Sequence, residues 1–178
     1  MSRISVKVVA QAIADVRVLD MKQKEHLLDE LFRDQPNMLG MFLVQQRMGV
    51  SFEKMDFLLN ILITCFQAMT LSGLAWPLIS IDEQDRQMAR HVASVRFGAD
   101  LGGKLEERAM AQYIENHPEK ALLAYVMTET ANWLKRIEPE ESDRRVMLAA
   151  VNFVNCIAFI PMPAARPKAR RSKAVLSR

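Results

Sequence analysis

The chain of 178 residues is long enough for one domain with a hydrophobic core and short for two. Half of its residues are hydrophobic, which excludes a disordered protein, and its six glycines and few aromatic residues argue against an all-β design. The net charge of +3 is uneven, because residues 166–178 carry six basic residues and no acid, which leaves residues 1–165 at −3. A body of such mixed charge is not typical of a nucleic-acid-binding surface.

The first segments read as short amphipathic helices. Residues 4–19 follow the helical period but open with several β-branched side chains, so helix and strand both remain open, and we favour a helix. Asp20 is a suitable N-cap for a second helix. Pro36 begins a third segment, which should end near Gly49.

Two uncharged runs dominate the chain. Residues 57–81 contain no charge, and Ser51 is placed to cap a helix that should end by Gly73. Residues 146–165 form the second run. Both are long enough to cross a membrane, so two spans are one interpretation. Polar residues and prolines inside the runs argue against membrane spans, and we predict two core helices instead. These polar residues and prolines are Asn60, Gln67, Pro77, Asn152, Asn155, Pro161 and Pro163.

The second half of the chain predicts four more helices. One begins at Asp82 and buries Met88, Val92 and Val95. The glycine-rich segment 98–103 is predicted to be a loop, and residues 104–116 should follow it as a helix. Pro118 opens the next helix, and acids near residue 140 lead the last one toward Ile160. The inward residues expected in the helix over 104–116 are Leu105, Ala109, Tyr113 and Ile114.

These segments together predict an all-α fold. We expect a single compact bundle-like domain of seven or eight helices over residues 1–160 and a disordered, basic, proline-containing tail over residues 161–178. A shift of 91 residues superimposes Ser51 on Ser142 and Cys65 on Cys156. A weak duplication about residue 81 is therefore an alternative organisation.

No catalytic motif stands out. Residues 98–105 match a phosphate-binding loop up to Lys104, but Leu105 replaces the hydroxyl that would bind magnesium. His26, His91 and His117 lack metal-ligand spacing and are expected to be scattered on helix surfaces. Cys65 and Cys156 lie in apolar runs, where a thiol behaves as a core side chain; acidic residues concentrate at helix starts, where capping explains them.

We therefore expect a non-enzymatic cytoplasmic protein with no cofactor and no metal: a helical protein–protein interaction module that binds a protein partner or a second copy of itself. An enzyme site within a bundle cleft stays open, because fold does not decide function. The alternative function is an electrostatic tether to nucleic acid or an anionic surface, and membrane insertion is not expected. The candidate polyanion contacts of that tether are Arg166, Lys168, Arg170, Arg171 and Lys173.

Overall fold

The computed structural model describes residues 2–163, except for the side chains of residues 99 and 101, and this part of the chain forms eight helices and no strand. The predicted all-α fold is confirmed, and residues 4–19 contain a helix rather than a strand. The predicted tail lies outside the described residues from residue 164 onward. The helices are α1 (Val6–Arg17), α2 (Met21–Asp34), α3 (Pro36–Arg47), α4 (Phe52–Leu71), α5 (Ile81–Leu101), α6 (Gly103–Asn116), α7 (Lys120–Leu134) and α8 (Asp143–Phe159).

The two uncharged runs form the centre of the fold. Helix α4 packs against α1, α3 and α8, while α8 also packs against α5 and α7. Leu58, Leu62 and Phe153 are fully buried between these helices. Both cysteines are free and buried, and burial raises the pKa of each thiol to about 12. The prediction that Cys65 and Cys156 are core side chains is confirmed.

Helix α4 also bears on the membrane interpretation. Among the described helices, it is the one with the length and hydropathy needed to cross a bilayer, and 61% of its apolar window is buried within the fold. A helix that is apolar around most of its circumference is typical of a protein interior as well as of a membrane span. Most of the apolar window of α4 packs against the neighbouring helices, as the side chains of a core helix do.

Local signals explain several helix ends. Asp20 caps α2 by accepting the backbone N–H of Gln23, whose side chain bonds back to the backbone N–H of Asp20. Ser51 and Ser142 both occupy N-cap positions, although neither side chain makes a capping hydrogen bond. The predicted end of the α4 segment near Gly73, which has φ 66°, is confirmed.

The predicted loop over residues 98–103 is wrong. Helix α5 continues through Gly98 to Leu101, and the chain reverses only at Gly102, which has φ 66°. A glycine inside a helix costs only about 1 kcal/mol relative to alanine, so Gly98 does not end the helix. Gly102 adopts the positive φ that glycine tolerates without strain. Helices α5 and α6 thus form a tight helical hairpin, called here the α5–α6 hairpin.

A buried ion pair joins the starts of α4 and α8. Lys54 Nζ bonds to the carboxylate of Asp143, and both side chains are shielded from solvent; it also contacts Glu140 at 2.8 Å. Burial alone would lower the pKa of Lys54 and raise that of Asp143. The hydrogen bond and charge of each partner outweigh burial, so the pKa of Lys54 is raised and that of Asp143 is lowered. The ion pair is therefore favoured over the neutral pair.

Candidate functional site

The α5–α6 hairpin differs from the rest of the fold in what it buries. None of the fourteen residues of α6 is fully buried. Phe97, Leu105 and Met110 remain 65%, 54% and 40% exposed. The prediction that Leu105 faces inward is wrong, because Leu105 stays more than half exposed and α6 packs mainly against α5 and α7. Tyr113 and Ile114, nearer the body, do pack partly against the core.

A cleft of about 450 Å³ lies between α5, α6 and the end of α8. Apolar side chains form much of its wall, and polar groups of α5 and α6 line its base and rim. We call it the hairpin cleft. Its lining includes Arg90, His91, Ser94, Val95, Phe97, Glu106, Met110, Tyr113, His117 and Phe159. Apolar walls with a few convergent polar groups are typical of a binding site.

A hydrogen-bonded network closes the base of the hairpin cleft. The backbone N–H of Glu119 donates to His117 Nδ1 at 3.1 Å, so that nitrogen is unprotonated and Nε2 carries the hydrogen. Nε2 then donates to Asn155 Oδ1 at 3.1 Å, and the same oxygen accepts the Tyr113 hydroxyl at 2.8 Å. Burial lowers the pKa of His117, and its hydrogen bonds offset only part of that effect. The imidazole is accordingly neutral at pH 7.

A second imidazole lies beside this network. The ring centroid of His91 is 6.2 Å from that of Tyr113, and the ring centroid of His117 is 5.6 Å from that of Tyr113. Burial and the neighbouring His117 lower the pKa of His91. Its Nδ1 is buried and has no hydrogen-bond partner among the described residues.

The prediction of scattered surface histidines is therefore wrong for His91 and His117, although it holds for His26. The hairpin brings His91 close to Tyr113, because both lie eleven residues from Gly102 on antiparallel helices. A correct prediction of the turn at Gly102 would have indicated that His91 and Tyr113 lie close together.

Glu119 ties the network to the start of the chain. Its fully buried carboxylate accepts hydrogen bonds from Ser2 Oγ at 2.6 Å and from the backbone N–H groups of Arg3 and Ile4 at 2.9 and 3.1 Å. Arg3 in turn donates to the carbonyl of Ile160 at 2.8 Å. Sequence reasoning attributed carboxylates to helix starts and missed this long-range role.

Opposite charges mark the two ends of the hairpin cleft. The Arg90 guanidinium lies 4.5 Å from the ring centroid of Phe159, near the body of the protein. Glu106 lies near the turn, opposite Gly98, since both are four residues from Gly102. Eight residues separate Arg90 from Gly98, a rise of about 12 Å along the helix. Within residues 2–163, neither charge has an ion-pair partner.

The hydroxyl group of Ser94, which lines the hairpin cleft, donates to the backbone carbonyl of Arg90 at 3.0 Å and not to either imidazole. No group of three potential metal ligands occurs in the described part of the chain. The candidate polyanion contacts Arg166, Lys168, Arg170, Arg171 and Lys173 lie outside the described residues, so the structure does not relate them to the cleft.

Comparison with known proteins identifies no relative. No protein-family model matches the sequence, and searches of curated proteins and of solved structures find no significant similarity. The geometry of the chain itself is therefore the basis for interpreting the site.

The buried histidines predict a pH-dependent stability. The lowered pKa of His117 means that the unfolded chain binds more protons than the folded chain between the lowered folded-state pKa and the unfolded value of about 6.5. Stability should then fall as the pH decreases through this window and reach its plateau above it. Urea midpoints at pH 5 to 8 should show a smaller pH dependence for His117→Gln than for the wild type. His26→Gln, which removes an exposed imidazole, is the control; an unchanged slope in His117→Gln would contradict the assignment.

Proposed function

We propose that the protein is a helical self-association module and that the α5–α6 hairpin binds a second copy of the chain. The observation that carries this proposal is that α6 buries none of its fourteen residues while Phe97 and Met110 lie exposed along the wall of one cleft. Scattered exposed apolar residues are ordinary, but a contiguous apolar surface flanked by charge is typical of an interaction site. Helix-in-groove packing is the recognition mode that such a cleft fits.

The charges of the hairpin cleft favour a second copy as the partner. Arg90 and Glu106 lie at opposite ends of the cleft, about 12 Å apart along its axis. In a two-fold pair of antiparallel clefts, Arg90 of each copy would face Glu106 of the other. The two pairings are equivalent by symmetry, so one surface satisfies both. The apolar residues between them would be covered at the same time.

Phe97 would be the main anchor of this interface. Its side chain is 65% exposed, and it lies beside the apolar wall formed by Val95 and Met110. Aromatic side chains that fill a partner's pocket account for much of the binding energy in protein interfaces. The peripheral charges would instead fix orientation and accelerate association.

Sedimentation velocity of the full chain from about 1 to about 100 μM tests the proposal, because this range brackets micromolar dissociation constants. We expect a reversible monomer–dimer equilibrium that weakens moderately with added salt, since salt screens the exposed Arg90–Glu106 pairs. A monomer across the whole range would contradict self-association.

The tether function stays a separate prediction. Residues 1–165 carry a net charge of −3, so binding to DNA should depend on the six basic residues that follow. A labelled duplex titrated with the full chain and with a truncation after Ala165 should be bound by the full chain alone, and less tightly as salt increases. Equal binding by the two proteins would exclude the tail as the cause.

A further inference from the structure

A second groove, of about 540 Å³, lies between α3 and the amino-terminal part of α5. Met41 and Val44 of α3 and Ile81 and Met88 of α5 line it, and Asn152 of α8 lies at its base. We call it the amide groove. Asp85 and Arg47 also line it, with opposite charges, so it does not select for a net charge.

Two buried amides at this groove each have an unpaired atom. Asn152 is fully buried, and Gln84 is 6% exposed. Asn152 Nδ2 donates to the backbone carbonyl of Gln84 at 3.2 Å, which brings the two residues into contact. Asn152 Oδ1 and Gln84 Nε2, however, have no hydrogen-bond partner within residues 2–163. A buried amide atom left unpaired destabilises a folded protein, so an unpaired acceptor and an unpaired donor on two residues in contact are unusual.

We infer that the amide groove is a binding site for a neutral carboxamide attached to a small apolar group. A carboxamide offers both complementary functions: its N–H donates to Asn152 Oδ1, and its carbonyl accepts from Gln84 Nε2. A carboxylate lacks the donor and an ammonium lacks the acceptor, and each would also lose hydration on entering an apolar groove. The methionines and Val44 would cover the apolar group.

Access to the two unpaired atoms requires one side chain to move. The Sδ atom of Met41 lies 3.2 Å from Asn152 Nδ2, so this side chain covers the base of the groove. Methionine is unbranched and has three rotatable side-chain bonds, which allow it to change rotamer at low cost. A single water molecule could also bridge the two amides, but it would fill only about 30 Å³ of the groove.

Titration of the full-length protein with matched probes, followed by ¹H–¹⁵N NMR, tests the inference. Isovaleramide and isovalerate have the same shape, and the amide should bind at least about tenfold more tightly, because the acid leaves Asn152 Oδ1 facing an oxygen. The peptides acetyl-Leu-Gln-Leu-amide and acetyl-Leu-Glu-Leu-amide form a second pair. Tighter binding of isovaleramide than of isovalerate identifies a free amide as the ligand. If only the peptides differ, with the glutamine peptide bound more tightly, the ligand is a glutamine side chain. Equal binding within both pairs, or none, would overturn the inference.

Two substitutions localise the site and guard against misfolding. Gln84→Met and Asn152→Leu each remove one unpaired atom and keep a similar volume, so each should abolish the amide selectivity. Gln84→Met should do so without lowering the urea midpoint, whereas Asn152→Leu also loses the hydrogen bond from Asn152 Nδ2 to the Gln84 carbonyl and should be less stable. If Asn152→Leu does not fold, Gln84→Met alone decides. Retained selectivity in Gln84→Met, or a clear loss of stability in that variant, would show that the amides are satisfied within the fold. This inference is independent of self-association, since a monomer would bind the amide equally well.

Discussion

Phe97→Ala should weaken self-association on the order of 30-fold, the effect of removing an aromatic anchor from an interface. Phe97 is 65% exposed in the single chain, so its truncation removes little from the fold itself. The dissociation constant from sedimentation velocity should therefore change while the urea midpoint at low protein concentration does not. A change in both would show that Phe97 acts through folding.

Phe32→Ala is the matched control for this prediction, because Phe32 is also 65% exposed but lies on α2, away from the hairpin cleft. It should associate as the wild type does. Equal weakening in Phe32→Ala and Phe97→Ala would place the interface elsewhere. Met110→Ala should give a smaller loss than Phe97→Ala, since Met110 also lines the cleft but exposes less apolar surface.

Lys54→Met should cause the largest loss of stability among the substitutions considered. It leaves Asp143 as a buried carboxylate without its counter-ion, whereas the wild-type lysine contacts Asp143 and Glu140. Removing one partner of a buried pair costs about 3–5 kcal/mol, and we expect about 2–3 kcal/mol because Glu140 is 58% exposed and brings water nearby. The free energy of unfolding from urea titration measures this difference.

A second substitution separates charge from packing at this pair. Asp143→Asn keeps an acceptor for the backbone N–H of Glu140, which Asp143 Oδ2 now accepts at 2.8 Å. Lys54→Met/Asp143→Asn should therefore recover a large part of the stability lost in Lys54→Met. Lys120→Met, which removes an exposed ion pair with Glu115, should have little effect. A double variant no more stable than Lys54→Met would show that packing, not charge, dominates.

The core of the fold was predictable because its signals are local and large. The uncharged runs over residues 57–81 and 146–165 contain most of α4 and most of α8, and burial of such runs follows directly from the hydrophobic effect. The burial of Cys65 and Cys156 follows from the same signal, because both lie inside the uncharged runs. Asp20 was identified correctly because a capping residue acts within three positions of itself.

The site was not predictable from the same signals. Three glycines between residues 98 and 103 obscured the single turn at Gly102, and without that turn His91 and His117 have no relation in the sequence. Periodicity placed Met88, Val92 and Val95 in the core, yet these are only half-buried, while α5 buries polar side chains; those are Glu83, Gln84 and Gln87.

Polar groups of α5 and α8 meet at Gln84, whereas the side chains of Glu83 and Gln87 bond to each other within α5. Helix α8 presents Asn152 and Asn155 toward the α5–α6 hairpin, where they bond to the backbone of Gln84 and to Tyr113 and His117. Polar groups on one helix select polar groups on its neighbour, because each buried amide needs a partner. Such pairing depends on tertiary contacts and has no signature in a single segment.

Two-fold pairing of hairpin clefts predicts that two charge-reversal variants associate with each other but not with themselves. Arg90→Glu places two acids opposite each other at both symmetric contacts of its own dimer, and Glu106→Arg places two bases there, so each variant alone should be mainly monomeric. A 1:1 mixture restores one acid–base pair at each contact and should form a heterodimer. Native mass spectrometry, in which the two variants differ in mass, should show that heterodimer as the main associated species. Wild-type-like dimers of each variant alone, or a mixture that stays monomeric, would contradict self-association through this cleft.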